Sequence, residues 1–255
     1  MYPATPPIVF IHGALNDHSI WTAQERALSE AGYKVMALDL PGHGDSSPGP
    51  ALASVEAMAD WLLARLDAAG VDKVLLAGHS MGSLIALETA DRAPARVAGL
   101  ALLGTAAPMK VSDALLTAAL DDQLGAIAMV AQWSHAPAAP DDDKAAEAAA
   151  ALEARSRELM QQVADSGPPH LLHTDLAACK AYANGERAAQ GLGCPVLFVL
   201  GKQDKMTPPR AAKTLTAAAG HGTIVEVDAG HAMMAEQSDA VAGALVAFAA
   251  ACTPA

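Results

Sequence analysis

The chain has 255 residues, 52% of them hydrophobic, with 28 acidic and 16 basic residues and a formal net charge of −12. This length suits one large domain, or one domain that carries an insertion. An acidic surface repels phosphate backbones and anionic lipid heads, so neither nucleic acid nor a membrane is an expected partner. The three cysteines form no C-x-x-C pair, which indicates a reducing compartment without a disulfide framework.

Neither end of the chain predicts export or a membrane span. The N-terminal segment MYPATPPIVF has no basic region and no long apolar region of the kind found in secretory signals. The apolar stretch VAGALVAFAAAC near the other end is too short to cross a bilayer. We therefore expect a cytoplasmic protein, and the sequence leaves its oligomeric state open.

Short, continuous apolar runs alternate with longer helical patterns. Runs without polar alternation are typical of strands that are covered on both faces of a parallel sheet. The alternation with helices predicts an α/β fold with a doubly wound, mostly parallel sheet. The predicted strands are Ile8–Ile11, Val35–Leu40, Val74–Ala77, Val97–Leu103, Val196–Leu200 and Ile224–Val227.

Two helices of this alternation have clear boundaries. One begins after Ser54, a good N-cap residue, repeats apolar side chains at three- and four-residue steps, and ends at Gly70. The other runs from Met81 to about Arg92 and is closed by Pro94.

The alternation stops between residues 108 and 193, where only helical segments are predicted. One of them is Lys144–Val163, followed by Gly167-Pro168-Pro169. Because the strand pattern resumes at Pro195, we interpret 108–193 as a helical cap inserted into a core formed by 1–107 and 194–255.

A serine flanked by glycines follows the third predicted strand, in Gly78-His79-Ser80-Met81-Gly82. The G-x-S-x-G pattern alone arises by chance in roughly one chain in ten of this length. Here, however, a strand precedes it and a helix follows it. This context resembles the nucleophile elbow of the α/β-hydrolase superfamily, in which a sharp turn exposes the serine. The resemblance extends from Ile8 to the last helix and implies a serine nucleophile, Ser80.

Two loops strengthen the resemblance. His12-Gly13-Ala14 follows the first strand and resembles the family's oxyanion loop, which implies that the backbone N–H groups of Ala14 and Met81 bind the oxyanion. His12 is expected to be structural. The segment Asp39–Ser46 resembles the family's loop after the next strand and is expected to have no catalytic role.

The remaining members of a triad follow from the same resemblance. The family places its acid after the strand that follows the cap, which implies Asp204, and its histidine after the last strand, which implies His231. Asp228, three residues before His231, is a competing acid, but it lies too close in sequence to match the family. Members often carry two further strands at the start, so this sheet is expected to have about six.

An apolar pocket is expected around the triad. Its predicted lining residues lie near strand ends or in the cap, and the methionines could equally fill the core; they are Leu15, Trp21, Met109, Trp133, Met206, Met233 and Met234. No metal or organic cofactor is expected. No arginine is placed beside the triad by sequence, so neutral esters are the expected substrates.

The resemblance implies a serine hydrolase, with a small-molecule acyl substrate and a carboxylesterase activity as the first choice. Lactonase, thioesterase, amidase and C–C hydrolase reactions on an acidic catabolite use the same residues and stay open. A non-catalytic ligand receptor built on the same fold is the alternative of a different class. Serine at the elbow disfavours dehalogenase and epoxide hydrolase chemistry, because those relatives use aspartate there.

Overall fold

The computed structural model describes residues 5–47, 49–138 and 142–253, and its strands and helices lie between residues 8 and 251. The strands are β1 (Ile8–Ile11), β2 (Val35–Leu38), β3 (Val74–His79), β4 (Val97–Leu103), β5 (Val196–Gly201) and β6 (Thr223–Val227). They form one sheet in the order β2-β1-β3-β4-β5-β6, with every neighbouring pair parallel. The predicted α/β fold with a parallel sheet of about six strands is confirmed.

The helices are α1 (Thr22–Glu30), α2 (Val55–Ala68), α3 (Met81–Arg92), α4 (Asp113–Asp121), α5 (Gln123–Ser134), α6 (Asp143–Ser166), α7 (Leu171–Ala181), α8 (Gly185–Gln190), α9 (Lys213–Ala218), α10 (Met233–Glu236) and α11 (Ser238–Ala251). The predicted cap of α2 is present, since Ser54 Oγ accepts a hydrogen bond from the backbone N–H of Ala57 at 3.1 Å. Of the described helices, none combines the length and the apolarity that crossing a membrane requires.

The strands are apolar on both faces because both faces are covered. In β1, Val9 and Ile11 belong to a core shared with α2, α3, α8 and α9, whereas Ile8 and Phe10 belong to a core shared with α1 and α11. Burial of each such side chain contributes roughly 1.5–3 kcal/mol to folding. The continuous apolar runs in the sequence are therefore the consequence of a doubly wound sheet.

Between β4 and β5 the described residues form helices and no strand. Helices α4 to α7 build a third apolar cluster, which includes Leu115, Ile127 and Met160 and also receives Leu15 from the loop after β1. Helix α8 differs, because it packs on α3 and α9 at the sheet. The packing thus groups α8 with the core helices, and we refer to α4 to α7 as the cap.

Candidate active site

The order of the strands places a crevice beside β1 and β3. The chain moves from β1 outward to β2, and then returns to β3 on the other side of β1. In open α/β sheets, ligands bind at such a reversal, outside the carboxyl ends of the strands. The loop that holds Ala14 follows β1, and Ser80 follows β3, so the two lie at this crevice.

Ser80 stands at a strained turn between β3 and α3. Its backbone has φ 52° and ψ −119°, which is costly for a residue with a side chain, by about 1–3 kcal/mol. The turn is fixed by hydrogen bonds of the backbone: Ser80 N–H donates to Leu103 O at 2.9 Å, and Ser80 O accepts from Ser83 Oγ at 2.5 Å. The surrounding structure therefore holds the hydroxyl at the end of the strand.

The glycines on both sides of Ser80 are required by close backbone contacts. A β-carbon at Gly78 would lie 2.1 Å from the carbonyl oxygen of Gly82, and one at Gly82 would lie 2.2 Å from the carbonyl oxygen of Ile11. Because rigid backbone atoms form these contacts, a side chain at either position would push β1, β3 and α3 apart. The G-x-S-x-G pattern is thus a packing requirement of this turn.

His231 and Asp204 form a buried pair. Nδ1 of His231 lies 2.8 Å from Oδ2 of Asp204. Oδ1 of the same carboxylate accepts from the N–H groups of Met206 and Thr207 at 2.8 and 2.7 Å, and Thr207 Oγ1 donates to Oδ2 at 2.8 Å. An acceptor at Nδ1 fixes the proton there, so Nε2 is free to act as the base.

The carboxylate of Asp204 is held in its ionised form. Burial raises its pKa, but the charge and hydrogen bond of His231, together with the Thr207 donors, outweigh burial and lower the pKa to about 2. Asp228 has a different environment: it is exposed, and its carboxylate accepts from Gln203 Nε2 at 2.9 Å. The geometry therefore pairs His231 with Asp204.

The ring of His231 is also fixed by the elbow. Nε2 of His79 donates to the carbonyl oxygen of His231 at 2.9 Å, and the two rings lie 4.6 Å apart between centroids. Gly104, with φ 53°, leaves room for this ring, since a β-carbon there would lie 3.1 Å from Nδ1 of His231. His79, the variable residue of the motif, thus positions the base.

Ser80 and His231 line the same cavity, which has a volume of about 850 Å³ and is mostly apolar. Within the described residues, Ser80 is hydrogen-bonded through its backbone alone, so its hydroxyl is free to interact with a ligand in the cavity. The N–H groups of Ala14 and Met81 donate to no other described group. Both are therefore available to a substrate oxyanion.

The cavity contains part of the predicted pocket. Met109, Trp133, Met206 and Met234 line it. Three predicted lining residues instead lie in the cores, and for these the prediction is corrected; they are Leu15 in the cap cluster, Trp21 stacked on Phe10 at 4.5 Å, and Met233 beneath the sheet. Met234 belongs to the same core as Met233 but also reaches the cavity.

Three cations also line this cavity: Lys110 before α4, Arg155 on α6, and Lys205 next to Asp204. Arg155 thus lines the cavity, although no arginine is placed beside the triad by sequence. Arg155 was not predicted because it lies far from Ser80 in the sequence, at the end of the 76 positions from 80 to 155. It reaches the cavity only through the way its cap helix packs. No local pattern signals it.

Asp175 is the second residue that sequence reasoning missed. It is fully buried on α7, and its Oδ2 accepts from the backbone N–H of Leu15 at 2.9 Å. The same oxygen pairs with Nε2 of His43 at 2.9 Å. A cap residue thus contacts the oxyanion loop directly. Leu15 itself has φ 48°, which is unusual for a residue other than glycine.

One group of possible metal ligands occurs among the described residues: His18, Asp39 and Asp45. Its central carboxylate is already used by the protein. Asp39 accepts from the N–H of His18 at 2.6 Å and from the N–H of Asp45 at 2.8 Å, and it also pairs with the His18 ring at 2.9 Å. These contacts organise the loop after β2, as expected for a structural segment.

Known proteins share both the sequence and the fold. The sequence profile of the alpha/beta hydrolase fold matches residues 6–237. A Klebsiella pneumoniae (strain 342) protein, whose name assigns it provisionally as the carbamate hydrolase RutD, is 32% identical over 252 residues, 93% of this chain and 89% of that protein. The enol-lactonase from Burkholderia xenovorans LB400 has a TM-score of 0.82 and 25% identity, covering 96% of this chain and 92% of that chain.

Other relatives are matched only in part. The dihydrolipoyllysine-residue acetyltransferase component of the acetoin cleaving system of Pseudomonas putida is 41% identical over 100 residues, which is 39% of this chain but only 27% of that protein. The profile of the hydrolase fold, in contrast, covers most of this chain and both ends of its sheet. The chain belongs to the α/β-hydrolase fold family.

Proposed function

We propose that this hydrolase cleaves carboxylic esters through an acyl-enzyme on Ser80. The observation that carries the proposal is the buried His231–Asp204 pair, whose histidine lines the same cavity as a strained serine. Such an arrangement serves nucleophilic catalysis, because a neutral imidazole can accept the serine proton and the carboxylate stabilises the imidazolium that results.

The reaction follows in two halves. Ser80 Oγ attacks the carbonyl carbon while its proton passes to Nε2 of His231, and the N–H groups of Ala14 and Met81 bind the oxygen as it becomes negative. The ester C–O bond then breaks, and the leaving alkoxide takes the proton from Nε2. Water, deprotonated by His231, attacks the acyl-enzyme, and the acid leaves as Ser80 regains its proton.

The apolar cavity supports an acyl group of small to medium size. Met109, Trp133 and Met234 line it, and each methylene placed against such a wall contributes up to ~0.8 kcal/mol. The similarity to an enol-lactonase supports a lactone as the second candidate substrate, since ring opening uses the same attack on a carbonyl carbon. No described feature favours a receptor without turnover.

The test compares Ser80→Ala with Ser83→Ala on p-nitrophenyl butyrate. Ser80→Ala should lower kcat by a factor on the order of 10⁶, the scale measured for serine triads, with an unchanged circular dichroism spectrum. Ser83 is the matched control, because it is a buried serine in the same turn, and its hydroxyl contacts the backbone carbonyl oxygen of Ser80 and the side-chain hydroxyl of Thr105. The proposal fails if Ser80→Ala keeps its activity while Ser83→Ala loses it.

A further inference from the structure

The charged residues that line the cavity are all basic. They are Lys110, Arg155 and Lys205, and no aspartate or glutamate lines the cavity in the described part of the chain. Acidic residues outnumber basic ones by 28 to 16. If three charged residues were drawn at random from this composition, all three would be basic in only about one case in twenty. The sign of this surface is thus opposite to that of the whole protein.

These side chains, which we call the cationic rim, are available to a ligand. All three residues are exposed as well as lining the cavity, so they lie where it opens to solvent. None of them forms an ion pair with another residue of the described ranges. Exposed charges act only over about 8–10 Å at physiological salt, so acidic residues farther away than this do not cancel the rim.

The rim is held in place relative to the catalytic residues. Lys205 lies between Asp204 and Met206, and the N–H of Met206 is bound to the Asp204 carboxylate at 2.8 Å. Its backbone therefore moves with the triad.

Arg155 is tied to the site through the cap. Ala232, next to His231, donates its N–H to Ser134 O at 2.8 Å. His135 follows Ser134 in the chain, and its Nε2 lies 3.1 Å from the hydroxyl of Ser156. Ser156 is the residue after Arg155. These contacts fix α6 near the histidine loop.

We propose that the preferred substrates carry a carboxylate, which the cationic rim holds at the opening while the acyl carbonyl lies at Ser80. The inference rests on the proposed function and names its substrate class: an ester or lactone with an apolar body and an anionic end. An arginine fork suits a carboxylate in particular, because two parallel N–H groups match its two oxygens.

The test uses pairs of esters in which a methyl cap removes the charge of a carboxylate. In the first pair the acyl side is changed: the p-nitrophenyl monoester of a six-carbon diacid is compared with its methyl-capped neutral form. In the second pair the alcohol side is changed: 4-carboxyphenyl butyrate is compared with its methyl ester. The measured quantity is the ratio of kcat/KM for the anionic member to kcat/KM for the neutral member.

We expect this ratio to exceed one for at least one pair, and to fall when sodium chloride is raised from low to high concentration. Arg155→Gln, Lys110→Gln and Lys205→Gln should each lower the ratio, by up to about fivefold for a single exposed ion pair. Lys73→Gln is the matched control, since Lys73 is exposed and precedes β3 at the opposite edge of the sheet. It should leave the ratio unchanged.

The inference is overturned if both ratios are one or less, or if Lys73→Gln lowers them as much as the rim variants do. These results differ from a failure of the proposed function. In that case neutral esters would be hydrolysed equally well by the wild type and by Ser80→Ala.

A separate observation concerns the fully buried carboxylate of Asp175. It joins the cap to the core, because Oδ2 accepts from the N–H of Leu15, the residue after Ala14, and pairs with the ring of His43. Burial lowers the pKa of His43, but the charge and hydrogen bond of Asp175 outweigh burial and raise it. We infer that Asp175 is a positioning residue, which holds the oxyanion loop so that the Ala14 N–H points at the substrate.

The test measures Asp175→Asn, with Asp113→Asn as a control in the same cap. Asp113 is exposed and pairs with Lys180. Removing an oxyanion donor outright costs about 10²–10³ in kcat, so a displaced donor should cost about 10- to 100-fold, with a smaller change in KM. Affinity for a boronic acid that forms a tetrahedral adduct with Ser80 should fall in parallel.

A merely structural role predicts another result: a lower melting temperature with kcat per folded molecule within twofold of the wild type. That result would overturn the inference. If Asp175→Asn does not fold, Asp175→Glu supplies the same comparison, because it keeps the negative charge but displaces the carboxylate from the N–H of Leu15. An unchanged kcat and inhibitor affinity in that variant would also contradict the role.

Discussion

The two acidic residues near His231 differ in the properties that a triad acid requires. Asp204 is buried, accepts four hydrogen bonds and contacts Nδ1 of His231, whereas Asp228 is exposed and bonds to Gln203. Asp204→Asn should lower kcat on the order of 10⁴-fold, because an amide favours the wrong tautomer of the imidazole. Asp228→Asn should change kcat by less than twofold.

The measurement is kcat for p-nitrophenyl butyrate hydrolysis by both variants, with the fold checked by circular dichroism. Since both substitutions remove one negative charge and replace a carboxylate with an amide, each serves as the control of the other. A severe loss in Asp228→Asn together with a mild one in Asp204→Asn would show that the acid is wrongly assigned.

Residues of the candidate site could be predicted from the sequence where the order of the strands along the chain fixes their positions. Ser80, Asp204 and His231 follow β3, β5 and β6, so a strand pattern and three motifs suffice to name them. Asp175 and Arg155 could not be found this way. Their contacts depend on how α6 and α7 lie across the sheet, and no local sequence pattern encodes that arrangement.

At the scale of elements, the elbow depends on β1, β3 and α3 being in close contact. Gly82→Ala places a β-carbon 2.2 Å from the carbonyl oxygen of Ile11, which is backbone and cannot rotate away. Overpacking of this kind costs about 1–3 kcal/mol, so the variant should have a lower free energy of unfolding and a lower kcat. Urea unfolding and ester hydrolysis measure the two effects.

Gly243→Ala is the matched control for that substitution. Gly243 lies within α11, and a β-carbon there meets no atom within 4 Å. Alanine in a helix interior is favoured over glycine by roughly 0.5–1 kcal/mol, so this variant should be more stable and fully active. Equal effects of the two substitutions would contradict the role assigned to the close contact at the elbow.

Element boundaries were predicted best where packing and local signals agree. Strand β4 and helix α3 have the predicted limits, because β4 is apolar throughout and α3 lies between the elbow and Pro94. Strand β2 ends two residues earlier than expected, at Leu38. The residues that follow turn away into the loop where Asp39 bonds to His18, so apolar character alone did not mark the end.

At the scale of the whole molecule, burial and hydrogen bonding keep two histidines in their neutral form. Nδ1 of His12 donates to Gly13 O at 2.8 Å, while its Nε2 accepts from the N–H of Leu40 at 3.1 Å. His79 donates from Nε2 to His231 O. Burial, and next the neighbouring His43 or His231, lower the pKa of each to about 3.

The free energy of unfolding should therefore fall as the pH falls below 6.5. The unfolded chain takes up protons at these histidines near pH 6.5, and the folded protein does so only near pH 3, so unfolding binds protons throughout this range. Each histidine should lower stability by about 1.4 kcal/mol per pH unit. His18 and His43 have raised pKa values, and their contribution is already complete below pH 6.5.

Urea unfolding at pH 7.5, 6.5, 5.5 and 4.5 measures this dependence. His79→Gln removes one of the two groups and should reduce the slope by about half, whatever its effect on stability at neutral pH. His221→Gln is a suitable control, since that residue is exposed. A stability that stays constant between pH 6.5 and 4.5 would contradict the neutral state of the buried histidines.

The most direct test of whether Ser80 is the nucleophile is to identify the residue that an alkyl fluorophosphonate labels. This reagent forms a stable bond with an activated serine, so peptide mass spectrometry locates the nucleophile without depending on the natural substrate. We expect one adduct, on Ser80, whose formation p-nitrophenyl butyrate slows and which is absent in Ser80→Ala. An adduct on another residue, or an unlabelled protein that still hydrolyses esters, would contradict this expectation.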